Sequence, residues 1–141
     1  MRPPEEVKRE LVRQWLTKAE RDLGLASYLL EKESPYVEAI GFHSQQAAEK
    51  FIKAYLVWRQ VEFPKTHDLD KLLDLVASQD NRIAESLRDI GILTDYSVEI
   101  RYPGQAPEMS FEEARSAVEL AAKARGAITN SLKKYLDQDK T

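Results

Sequence analysis

His43, Gln46, Lys50 and Lys53 recur at three- and four-residue intervals within Phe42-His43-Ser44-Gln45-Gln46-Ala47-Ala48-Glu49-Lys50-Phe51-Ile52-Lys53-Ala54. At about 100° per residue these four side chains share one helix face, while Val37, Ile40, Ser44, Ala48, Phe51 and Tyr55 fall roughly opposite. One face is expected to pack and the other to present donors. An imidazole, a primary amide and two ammonium groups together suit a phosphate or a nucleotide. Gln and Lys alone would be explained by a solvated face and good helix propensity. The imidazole among them points further, as do two charged residues on other segments. Asp22 lies at the edge of an apolar stripe, where a carboxylate needs a cation or amide to offset its desolvation. Arg101, followed by Tyr102, stands just before Pro103, Gly104 and Pro107, so its guanidinium leads into an irregular loop of the kind that lines binding sites. Glu49 is a supporting member of the set, with a structural ion pair as its alternative role.

The elements that must position these residues are helical throughout. Val12, Trp15, Leu16, Ala19, Leu23, Ala26 and Leu30 recur at helical spacing and predict a helix from about Val7 to Lys32. Ser34 then reads as an N-cap with Pro35 at the first helical position, opening a second helix to about Arg59. The short turn makes these two antiparallel neighbours. Thr66 reads as the N-cap of a short third helix ending near Ser78, with His67 in its first turn making local hydrogen bonds. A fourth helix is expected from Asn81 to Tyr102, and Ser110 with Glu113 forms a capping box for a fifth. The fifth carries Ala114, Ala117, Val118, Ala121, Ile128, Leu132 and Leu136 on its apolar stripe. Arg125 falls between Ala121 and Ile128 and is expected to be buried in an ion pair, with Glu49 a candidate partner. The predicted fold is all-α, an up-and-down bundle of four long helices and one short one, forming one domain over 1–141 with its core at about 10–137.

The fourth helix carries two apolar stripes, Ile83, Leu87, Ile90 and Val98 on one side and Leu93, Tyr96 and Ile100 on the other. Two faces require two partners. Either this helix lies at the bundle centre, or its second face forms an isologous dimer interface.

Composition narrows the chemistry. With 141 residues, 43% of them hydrophobic, the chain can bury about two-thirds of its unfolded surface in a single core. A net charge of -3 supplies no global attraction to nucleic acid, so phosphate binding must come from a local patch. The absence of Cys excludes disulfides, thiolate nucleophiles and thiolate metal sites. The two His residues do not follow Glu at the spacing of a di-iron bundle, and neither a P-loop, a dinucleotide glycine fingerprint nor a Gly-x-Ser-x-Gly elbow occurs. No cofactor or metal is expected. The polar N-terminus and the lack of a membrane-length apolar run predict a cytoplasmic protein that does not engage a membrane.

Four pieces taken in order resemble a family: Trp15-Leu16-Thr17-Lys18-Ala19-Glu20-Arg21-Asp22-Leu23, the His43 to Ala54 run, Thr66-His67-Asp68-Leu69, and Arg101-Tyr102-Pro103. Together they resemble the HEPN domain over nearly the whole chain, from about Trp15 to Leu136. The resemblance implies a helical domain that commonly forms a homodimer, binds nucleotide or RNA, and often works beside a minimal nucleotidyltransferase in a toxin–antitoxin pair, with the HEPN protein as toxin. His43, Gln46, Lys50, Lys53, Arg101 and Tyr102 are then the expected nucleotide or RNA contacts, supported by Asp22 and Glu49.

Many HEPN domains are metal-independent ribonucleases built on an Arg, four to six intervening residues and a His. Here Tyr102 through Glu108 contain no His, and none follows. Binding is therefore the expected function. An endoribonuclease using Arg101 to stabilise phosphorane charge and His43 as a relocated acid or base is the alternative. A non-catalytic interaction module docking through Leu93 and Ile100 is a third reading.

Overall fold

Pro4 opens the first helix at a position where its missing N–H costs nothing, and Glu5 and Glu6 follow in the first turn, where carboxylates favour the positive end of the dipole. The computed structural model describes residues 4–97 and 108–138. Helix α1 spans Pro4–Glu31 and buries Val12, Ala19, Leu23 and Ala26. Its end closes through Ser34 N–H to the Leu29 carbonyl and Glu33 N–H to the Leu30 carbonyl, both 3.0 Å, with Glu33 at φ 53° where glycine is usual. Ser34 does not cap the next helix. Its hydroxyl accepts from Tyr36 N–H at 3.1 Å, so it braces the turn, and α2 starts only at Val37.

Helix α2, Val37–Trp58, packs against α1, α5 and the segments between them, making it the central element. Every residue from Phe51 to Leu56 is buried. The expected division into one packed and one donor-presenting face therefore fails in its C-terminal half, where Lys53 and Glu49 lie inside the bundle. Its end repeats the closure of α1, with Gln60 at φ 57° and Val61 N–H on the Leu56 carbonyl at 2.9 Å.

Helix α3, Leu69–Ala77, is capped by Asp68, whose carboxylate accepts from the Asp70 and Lys71 N–H groups at 3.0 and 3.4 Å. Thr66 instead accepts from Asp68 N–H at 3.1 Å, which places His67 before the helix rather than in its first turn. The expected long fourth helix is interrupted. Helix α4 covers Asn81–Ser86, and a 3₁₀ helix follows from Arg88 to Tyr96. Ala84, Leu87, Ile90 and Leu93 are all fully buried at intervals of three, a repeat that three residues per turn keeps on one face and 3.6 does not. Leu87 and Ile90 of one expected stripe and Leu93 of the other thus share a single buried face. Leu93 belongs to the main core and cannot form a dimer face. Val98, Ile100, Arg101 and Tyr102 lie outside the described residues.

Helix α5, Phe111–Asp137, begins at the capping box: Glu113 N–H donates to Ser110 Oγ at 3.1 Å, and Ser110 N–H returns to the Glu113 carboxylate at 3.5 Å. Ala114, Ala117, Ala121 and Ala124 make a narrow stripe that lets α5 lie close on α2, widening to Ile128, Leu132 and Tyr135. Arg125 falls off this stripe. It is exposed and pairs with Glu20 of α1 at 2.5 Å, not with a buried acid. The described residues are helical with no strand, and none of their helices is long and apolar enough to cross a membrane.

Candidate functional site

Asp22 is the point where α1 and α2 exchange charge. Its Oδ1 lies 2.9 Å from His43 Nδ1 and its Oδ2 2.5 Å from Lys50 Nζ. His43 and Lys50 are two helical turns apart on α2 and converge on this one carboxylate because antiparallel packing sets Asp22 between them. Its side chain is 13% exposed, against 24% for His43 and 23% for Lys50. An ionised carboxylate only accepts hydrogen bonds, so Nδ1 of His43 carries the proton and donates it. Nε2 is then the nitrogen left for a ligand or a proton transfer. Lys50 spends one of three N–H groups on Asp22. The pair thus offers a fixed imidazole and an ammonium, both at the surface. Phe42 stacks edge to face on the His43 ring at 5.2 Å and restricts it further.

A second polar cluster lies alongside, with Gln45, Glu49 and Lys53 buried and His67 exposed at its edge. Glu49, 4% exposed, accepts from Lys53 Nζ at 2.8 Å, His67 Nδ1 at 2.8 Å and Gln45 Nε2 at 3.1 Å. Gln45, itself fully buried, also donates to the His67 carbonyl at 3.0 Å, and its Oε1 accepts from Gln46 Nε2 at 2.7 Å. Burial pushes the Glu49 carboxyl up, yet the hydrogen bonds from Lys53, His67 and Gln45 outweigh it and hold the group below the usual carboxylate range. Lys53 is held between two rings, its ammonium 5.6 Å from the centroids of both Trp15 and Phe63. Those rings meet edge to face at 6.3 Å.

Of the expected donors, the fold brings His43 and Lys50 together on Asp22. Gln46 sits between them in sequence but turns its amide to Gln45. Lys53, expected to face a ligand, is instead enclosed, because Trp15 and the α2–α3 loop cover its side of the helix. Glu49 is the hub of the buried network. His67 reaches it across 18 residues of sequence instead of bonding locally. Gln45 falls outside the expected set, although Gln45, Glu49 and Lys53 form a ladder at four-residue spacing that announces mutual contact. Arg101 and Tyr102 lie outside the described residues, but the chain on either side of them is placed: Tyr96 and Met109 both pack on Gly41, where an added Cβ would meet Met109 Cε at 2.5 Å and Tyr96 Cγ at 3.3 Å. Gly41 precedes His43 by two positions. Among the described residues, no three His, Asp or Glu side chains converge as metal ligands.

The comparisons with known proteins agree with this architecture. The family model described as HEPN domain matches residues 12–131. No curated protein matches the chain. Among solved structures, the chain is similar to the crystal structure of TT1696 from Thermus thermophilus, at 27% identity and a TM-score of 0.69, covering 84% of this chain and 96% of that one. With its family match running from the first buried residue of α1 into the last turns of α5, the chain belongs to the HEPN domain family.

Proposed function

We propose that this HEPN protein binds a nucleotide or RNA through phosphate contacts from His43 and Lys50, with Asp22 holding both side chains in place. The observation that carries the reading is the double engagement of Asp22, which orients an imidazole and an ammonium at the surface and leaves Nε2 and two N–H groups without a partner among the described residues. Gln46 is the neighbouring amide and Arg101 the further phosphate contact, with Tyr102 beside it. The protein acts as a homodimer and as the HEPN component of a toxin–antitoxin or regulatory pair with a minimal nucleotidyltransferase; membership of the family supports this part of the reading.

The test is binding of a labelled single-stranded RNA to the purified chain. Lys50→Ala and Arg101→Ala are each expected to weaken it roughly tenfold or more, the scale of a charge-assisted hydrogen bond, with the melting temperature nearly unchanged. Equal affinity in wild type and both variants would overturn the reading.

The Asp22 and His43 pair also favours a second reading, because a carboxylate that fixes the tautomer of a surface imidazole is an arrangement suited to general acid–base work. A metal-independent endoribonuclease predicts cleavage of RNA in chelator that disappears in both His43→Ala and Arg101→Ala. Binding without cleavage supports the first reading over this one.

A further inference from the structure

The solvent-facing flank of α1 around Trp15 has no role in a phosphate site alone. Trp15, Lys18 and Asp22 fall at i, i+3 and i+7 on α1, so they share one side of the helix. Two turns, about 10 Å, separate Trp15 from Asp22 along the axis. Beside Trp15 is a surface hollow of about 110 Å³ lined by Leu11, Gln14, Trp15 and Lys18. Leu11 is 43% exposed at its margin, an apolar side chain left to solvent. The Trp15 ring is already fixed by the Phe63 edge and the Lys53 ammonium, so a planar ligand laid against it would cost little side-chain ordering. Lys18 stands one turn from Trp15 and one turn from Asp22, between the hollow and the His43–Lys50 pair.

We infer that the Trp15 hollow is the base subsite of a nucleoside phosphate whose phosphate rests at His43 and Lys50. The base packs between Leu11 and the indole, Gln14 offers an amide to its edge, and Lys18 lies over the sugar–phosphate link. An amide is the side chain that pairs bidentately with adenine, so an adenine nucleotide is the preferred occupant. Stacking on an immobilised aromatic ring with polar reading of the base edge is how unpaired bases are held. The same chemistry serves a free nucleotide and a unit of a single strand.

This inference rests on the phosphate reading of His43 and Lys50, and the experiment separates the two. Trp15 and Trp58 are the two tryptophans, so Trp58→Phe leaves Trp15 as the sole tryptophan emitter in the full chain, excited selectively over tyrosine. That protein is titrated with adenosine 5′-monophosphate, ribose 5-phosphate and a short oligoadenylate RNA, following Trp15 emission and, independently, heats of binding. Adenosine 5′-monophosphate is expected to quench Trp15 and to bind about tenfold more tightly than ribose 5-phosphate, the fold-change of one stacked base. Leu11→Asp and Gln14→Ala, both at exposed positions, are expected to remove that tenfold advantage while leaving ribose 5-phosphate binding and the melting temperature unchanged. Quenching by the oligonucleotide but not by the mononucleotide assigns the subsite to a strand; quenching by both assigns it to a free nucleotide as well. Equal affinity for ribose 5-phosphate and the nucleotide, without quenching, overturns the base subsite and leaves the phosphate reading standing. Loss of all three interactions overturns both.

Discussion

At the scale of single residues, two carboxylates with the same kind of partner do opposite things. Asp22 holds His43 and Lys50 at the surface, and Glu49 holds Lys53 where water is largely excluded while tying down the exposed His67 ring. The difference is what covers them: Trp15 and Phe63 close over Lys53, and among the described residues no comparable ring lies on Lys50. Removing Lys53 leaves Glu49 buried with only Gln45 and His67. Lys53→Met is therefore expected to destabilise the fold by about 3 kcal/mol, as removal of one member of a buried pair does. The double variant Glu49→Leu/Lys53→Met is expected to recover most of that loss. Urea unfolding of both proteins checks the prediction, and a double variant no more stable than the single one would show that Glu49 holds the loop through His67 rather than merely answering Lys53.

The elements carry their own lesson in the stretch from Asn81 to Tyr96. Its apolar residues were legible from sequence, but the repeat they follow was not, because Leu87, Ile90 and Leu93 fit an α-helical wheel with two faces as readily as a 3₁₀ turn with one. What decides is packing: all three are fully buried against α2 and α3 in a single chain. Ile90→Ala and Leu93→Ala are each expected to cost about 2–5 kcal/mol, independent of protein concentration, whereas Ile92→Ser, at a position 56% exposed, is expected to stay within about 0.5 kcal/mol. A Leu93→Ala effect that grew on dilution would restore the dimer face. Boundaries show the same pattern. Asp80 and Asp68 accept from the first N–H groups of α4 and α3, and the Ser110 box closes on α5 as its sequence predicts. The closures after α1 and α2 carry no such signal, because Glu33 and Gln60 adopt the left-handed conformation without being glycine.

For the molecule as a whole, the buried network links stability to pH. The Glu49 carboxyl lies below its ordinary value of 4.5 in the folded chain, so its contribution is complete above about that pH and is lost as pH falls through the lower folded value. The melting temperature is expected to decline in that acid range, and the decline is expected to flatten in Glu49→Gln; parallel profiles for the two proteins would remove Glu49 as a source of acid sensitivity.

Helical class, the α1–α2 hairpin, the capping box at Ser110 and the pairing demand on Asp22 were written in the sequence, because each follows from local periodicity or from a charge placed beside an apolar stripe. Which of two lysines three residues apart would stay at the surface was not. Lys50 and Lys53 share a helix face, and only the arrival of Trp15 from α1 and Phe63 from the α2–α3 loop separates them, through contacts that sequence spacing along α2 does not encode.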